Sequence, residues 1–252
     1  MKVPWDIIVV SANEDPLYIE FWPMIAWANR AVFGCEVHLA FLTDRSEDDP
    51  YVSELRRHGS VTLYKTVAGV PDCNLAKMIR YIHCSKQGDK VCYIEDIDLL
   101  PLSREWPVSR VSQRPPGHLL LCGAEVYGAV TPDQKMLSPA PASLMTAEGS
   151  LWKKIINPQD SDYESLVLGW ALAAVLSGTT YQDIGSKVDH LSDHCFSCEK
   201  LVRSLRVDAG VQVFHVDRNY DVFRDTLPRT GWHFSQERLD AGEYIESHMP
   251  RP

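Results

Sequence analysis

Apolar runs of strand length alternate with stretches of helical spacing through the first hundred residues. Residues 5–11 (WDIIVVS) are mostly β-branched, the pattern of a buried strand, and residues 11–16 (SANEDP) follow as a polar turn with Pro16 placed to start a helix. Residues 17–32 carry aromatics and alanines at helical spacing and stop at Gly34. A second strand is expected over 37–42 (VHLAFL), ending in Thr43 and Asp44, then a helix over 53–58 and a third strand over 61–67. Residues 73–84 put Leu75, Met78, Ile79 and Ile82 on one helical face, with Lys77 and Arg80 beside it. Residues 91–94 (VCYI) form a fourth strand that runs straight into Glu95, Asp96 and Asp98. Strands alternating with helices imply an α/β fold built on a parallel, helix-covered sheet, whose strand ends form the ligand crevice.

Beyond residue 102 the pattern loosens. Residues 103–116 are polar and proline-bearing, and shorter strands are expected over 118–122 and 125–130. A loop over 138–142 leads to residues 143–152, which precede a short helix. Residues 162–176 read as a strong helix with Ser161 or Asp162 able to cap it, and a late strand over 211–214 ends in His215. No internal repeat interrupts this order. The reading is one domain over 1–252, with a nucleotide-binding half (1–102) and an acceptor-side half with a C-terminal tail (103–252).

Composition narrows the class. Over 252 residues, 45% hydrophobic and 23% charged positions are globular values. A net charge of −9 excludes nucleic acid as the main partner, since a phosphate backbone needs a basic footprint. No apolar run is long enough for a transmembrane segment, and residues 1–6 (MKVPWD) lack a signal-peptide core. Seven scattered cysteines read as reduced thiols, so a cytoplasmic protein is expected.

The chemistry concentrates after the fourth strand. Asp96 and Asp98 stand two apart where the chain leaves the sheet, so both carboxylates can converge on one ligand. Hard oxygen donors so placed suit Mg²⁺ or Mn²⁺, which keep open positions for phosphate oxygens.

This order of elements, the segment Tyr93-Ile94-Glu95-Asp96-Ile97-Asp98-Leu99-Leu100-Pro101-Leu102 and the late strand ending in histidine resemble glycosyltransferases of the GT-A fold, whose Asp-x-Asp motif holds a divalent metal against a nucleotide-sugar diphosphate. The layout is most similar to small viral and bacterial transferases such as the N-terminal transferase domain of a chlorovirus glycan-building protein. The resemblance implies a Rossmann-like mixed sheet flanked by helices, and a hexosyl- or deoxyhexosyltransferase acting from a UDP-sugar donor on a glycan or other hydroxyl acceptor. It implies that Asp98 binds the metal and that Asp96 contacts the metal or the ribose. His215 would be a third metal ligand. Ser11, Ala12 and Asn13, with Asp44, would line the uracil and ribose, and Lys77 and Arg80 would face the ribose or diphosphate.

An inverting transferase also needs a general base, for which Asp162 and Glu164 are the candidates and Glu148 a weaker one. The bland alternative for Asp162 is a helix cap. Two rival functions remain: a sugar-phosphate nucleotidyltransferase, against which the acidic, glycine-free turn after the first strand speaks, and a non-catalytic nucleotide-sugar-binding protein. His190, His194, Cys195 and Cys198 carry zinc-ligand types, but nine consecutive residues can hardly wrap one tetrahedral ion. Trp232, in a polar tail, could serve as a lid or sugar platform.

Overall fold

The computed structural model describes residues 2–122, 144–176, 210–216, 223–224, 237 and 246–248. Seven strands form one sheet in the order β3-β2-β1-β4-β7-β6-β8: β3 (Ser60–Tyr64), β2 (Glu36–Leu42), β1 (Ile7–Ala12), β4 (Val91–Ile94), β7 (Met145–Glu148), β6 (Leu119–Cys122) and β8 (Val213–Val216). The first four run parallel, β7 runs against both β4 and β6, and β8 is parallel to β6. The sheet is therefore mixed, and the parallel expectation holds for its first half.

Both faces of the sheet are covered, and alternation along β1 shows how. Ile7 and Val9 pack among residues of α4 (Asp72–Ser85), α6 (Gly149–Ile156) and α7 (Tyr163–Leu176), whereas Ile8 and Val10 pack with Trp22, Ile25 and Phe33 of α2 (Trp22–Phe33). A strand buried on both faces needs apolar residues at every position, and each such side chain stabilises the fold by about 1.5–3 kcal/mol.

Local chemistry sets the element ends. The expected helix over 17–32 is two: α1 (Pro16–Ile19), capped by the Asp15 side chain, and α2, with Pro23 in its first turn. A proline there lacks only an N–H that the helix would leave unbonded anyway, so it starts a new helix. Gly34 ends α2 at φ 69°, as its position predicts. The third helix, α3 (Pro50–Arg56), begins earlier than expected because Asp49 caps it. Five elements escaped the sequence reading: α5 (Glu105–Val111), β7, and the three strands of a small second sheet, β5 (Leu99–Pro101), β10 (Glu246–His248) and β9 (Phe223–Arg224). The expected features at 125–130, 138–142, 190–198 and Trp232 lie outside the described residues. Among the described residues no helix is long and apolar enough to cross a membrane.

Candidate active site

The parallel strands deliver their loop ends to one rim of the sheet, and the acids after β4 stand at its centre. Strand-like alternation continues past Ile94. The Glu95 N–H still bonds Val9 O of β1 at 3.1 Å, and Glu95 and Ile97 turn to the face of α2. Asp96 turns to the opposite face, where Arg80 Nη1 of α4 meets its Oδ1 at 2.5 Å. Arg80 is itself buried, its Nε held by Lys77 O, so the guanidinium is fixed before any ligand arrives. The chain then turns, with Leu99 N–H bonded to Asp96 O at 3.1 Å, and buries Asp98 to 3% exposure.

To one side the rim is a polar network. Ser11 and Ala12 close β1 rather than forming a turn, and the turn begins at Asn13, whose Oδ1 accepts the Asp15 N–H. Glu14, of the acidic turn, accepts from the Thr43 hydroxyl and from Arg45 Nη2 at 3.1 Å. The Thr43 hydrogen bond holds the Glu14 carboxyl below its ordinary range. Asp44 accepts from the Thr66 hydroxyl at 2.8 Å and from Thr66 N–H at 3.2 Å, which lower its pKa likewise.

The structure gathers Asp96, Asp98, Arg80 and Lys77 around β4 and α4, but it sets the base candidates elsewhere. Both Asp162 oxygens accept from Ser165, one from its N–H at 3.0 Å and one from its hydroxyl at 2.7 Å, and these bonds lower the Asp162 pKa. Asp162 is thus engaged as the cap of α7. The next residue, Tyr163, donates its hydroxyl to Lys65 O just past β3. The start of α7, with Asp162 and the exposed Glu164, therefore lies on the β3 side. Three strand spacings, about 14 Å, separate β3 from β4. Glu148 pairs in register with Val91, at the rim opposite the acids. Burial raises its pKa, but the fork of Arg114 at 2.8 and 2.9 Å and other hydrogen bonds outweigh that and keep it lowered.

The histidines are placed by register. His215 lies inside β8, opposite Leu121, which stands level with Ile94, three strands from β4. Its backbone is thus on the same rim, about 14 Å from that of Ile94. A second histidine, which the sequence reading missed, comes nearer. β10 pairs antiparallel with β5 and sets His248 opposite Leu99, one residue past Asp98. A Cα separation of about 5 Å across such a pair follows from antiparallel geometry. Only the short Glu-Ser-His run near the chain's end hinted at a strand there.

Two carboxylates within one tight turn, at the loop end of a parallel strand, are the hard donor set that Mg²⁺ or Mn²⁺ takes. Among the described residues no three His, Cys, Asp or Glu side chains come together as a complete ligand set.

No protein-family model and no curated protein matches the chain. Solved structures do. The architecture is the GT-A fold, a seven-strand mixed sheet between helices. In particular it is similar to LgtC: an active-site mutant of LgtC matches with a TM-score of 0.50 at 12% identity over 98% of this chain and 88% of that one. The galactosyltransferase LgtC in complex with donor and acceptor sugar analogs matches with a TM-score of 0.50 at 12% identity over 96% and 86%.

Proposed function

We propose that this chain is a metal-dependent glycosyltransferase that moves a hexosyl or deoxyhexosyl unit from a nucleotide diphosphate sugar, a UDP-sugar, to a hydroxyl of a glycan or similar acceptor. The observation that carries the reading is the turn after β4, where Asp96 meets Arg80 and Asp98 lies buried two residues on, at the loop rim of a GT-A sheet. Asp98 and Asp96 would hold Mn²⁺ or Mg²⁺. Such an ion supplies Lewis-acid stabilisation of the leaving diphosphate. Arg80, its charge fixed against Asp96, adds a permanent cation beside that group, and the half-buried Lys77 one turn earlier adds a second. Asn13 and Asp44, at the ends of β1 and β2, offer acceptors to a uracil and ribose laid across the rim, with Ser11 and Ala12 as the floor.

The third metal ligand is a choice between His215 and His248, and the register of β10 against β5 favours His248. Asp162 and Glu164, on the β3 side, are poorly placed for a base at the anomeric carbon. The nucleotidyltransferase reading loses further ground because Glu14, held in its charged form, occupies the loop that would have to grip a triphosphate.

Calorimetry with UDP, in the presence and absence of Mn²⁺, tests the reading. Binding that requires the metal and disappears in Asp98→Ala is expected, and equal binding without metal would overturn it. Hydrolysis of a UDP-sugar panel then separates an enzyme from a binding protein. His248→Ala should weaken Mn²⁺ binding more than His215→Ala, and the reverse order would restore His215 as the ligand.

A further inference from the structure

We infer that Glu95 and Asn29 form a positioning pair that sets the turn bearing Asp96 and Asp98. Glu95 is the acid nearest to those two in sequence, yet it faces away from them. It is 1% exposed, and its Oε2 accepts from Asn29 Nδ2 of α2 at 2.7 Å. Asn29 is fully buried, and its bond to Ile25 O at 3.2 Å ties the amide to the preceding turn of its own helix. The amide is therefore aimed before Glu95 meets it. A carboxyl group and an amide rarely occupy an apolar layer without a reason, because burying either is costly unless it is hydrogen-bonded. Ile25, Phe33, Tyr93 and Ile97 are buried in the same layer, and the Cys35 thiol lies within electrostatic reach of Glu95.

The consequence follows from strand geometry. With Glu95 locked to the α2 face, Asp96 must turn to the α4 face, because successive side chains on an extended chain alternate. A slip by one residue would exchange their faces and bring Glu95 to Arg80. Asn29 thus selects which acids the rim presents. Both side chains are buried, so both act through Asp96 and Asp98.

The inference rests on the metal-site reading for its functional consequence, and its structural half is independent of that reading. Two measurements on the full chain, applied to Glu95→Leu, Glu95→Gln and Asn29→Leu, separate them. The first is amide exchange of a peptide spanning 95–101, compared with one spanning β1. The second is Mn²⁺-dependent UDP binding. Glu95→Leu should speed exchange at 95–101 about tenfold while leaving β1 protected, and weaken metal-dependent binding about tenfold, the loss expected of one hydrogen bond to an acidic group. Glu95→Gln keeps an acceptor for Asn29 and should stay within about threefold of the parent in both. Should Glu95→Leu fail to fold, Asn29→Leu, which keeps the acid and removes the amide that donates to it, carries the same expectations. Unchanged exchange at 95–101 in both leucine variants, or a glutamine variant as impaired as the leucine one, overturns the inference. Absence of metal-dependent binding in the parent chain overturns the functional reading, and the exchange measurement still decides this one.

Discussion

The residue that most separates appearance from use is Asp162. At the head of a strong helix it has the look of a catalytic base, and its two oxygens are instead both spent on Ser165. Asparagine caps a helix about as well as aspartate but cannot act as a base. Asp162→Asn should therefore keep both melting temperature and transfer rate close to the parent, whereas Asp162→Ala should melt earlier. A rate loss of about a hundredfold in Asp162→Asn would make it the base after all. The contrast explains what could be read from sequence at this scale. Asp96 and Asp98 were legible because a strand followed by close-spaced acids is a local pattern. Asn29 was not, since its partner Glu95 lies 66 positions away and nothing in the residues around an asparagine in a helix announces it. The contacts of Glu14 were hidden likewise, because its partners Thr43 and Arg45 lie beyond the next strand.

Among the elements, the first four strands and the helices between them were recoverable because each is buried on both faces or along one stripe, which leaves a periodic imprint. β5 and β10 are three residues each, too short for any period, and pair across more than half the chain. β5 nevertheless continues directly from Asp98 and pairs with β10, so the acid-bearing turn is held between the large sheet on one side and the small one on the other. Deleting residues 246–252 should leave β1 to β4 folded but release β5. The expected outcome is cooperative unfolding close to that of the full chain together with loss of Mn²⁺-dependent UDP binding, and retention of that binding would remove β10 from the site. A second element-level constraint lies at the start of α6. A Cβ on Gly149 would approach Cys84 O and Gly88 O at 2.7 Å, both backbone atoms that cannot swing aside. Gly149→Ala should push α6 off the end of α4 and destabilise by about 1–3 kcal/mol, measurable by urea unfolding.

At the scale of the whole molecule, stability is tied to pH through a cluster that contains none of the rim's acids. His83 of α4 bonds His38 of β2 through Nε2 at 3.0 Å and the Tyr64 hydroxyl of β3 through Nδ1 at 3.3 Å, so it joins the helix to two strands. Burial, then the neighbouring His38 and the charges of Lys86 and Lys90, push the His83 pKa down to about 3. Burial lowers His38 too, against the opposing pull of Glu36. Both rings are neutral in the folded chain at pH values where the unfolded chain, with histidines near about 6.5, already binds protons. Their contribution is thus present in full above about pH 6.5 and is lost as pH falls from there toward the folded value. Each proton taken up on unfolding gives a slope of about 1.4 kcal/mol per pH unit. Between about pH 6.5 and 5 carboxylates barely titrate, so this window isolates the histidines. Urea unfolding should show stability falling across it, and His83→Leu should flatten the fall even though the variant starts less stable. A stability independent of pH between about 7 and 5 would show that the cluster takes up its protons without opening. Because His83 and Arg80 lie one turn apart on α4, the same acidification should loosen the helix that holds Asp96, and metal-dependent binding should decline before the chain unfolds.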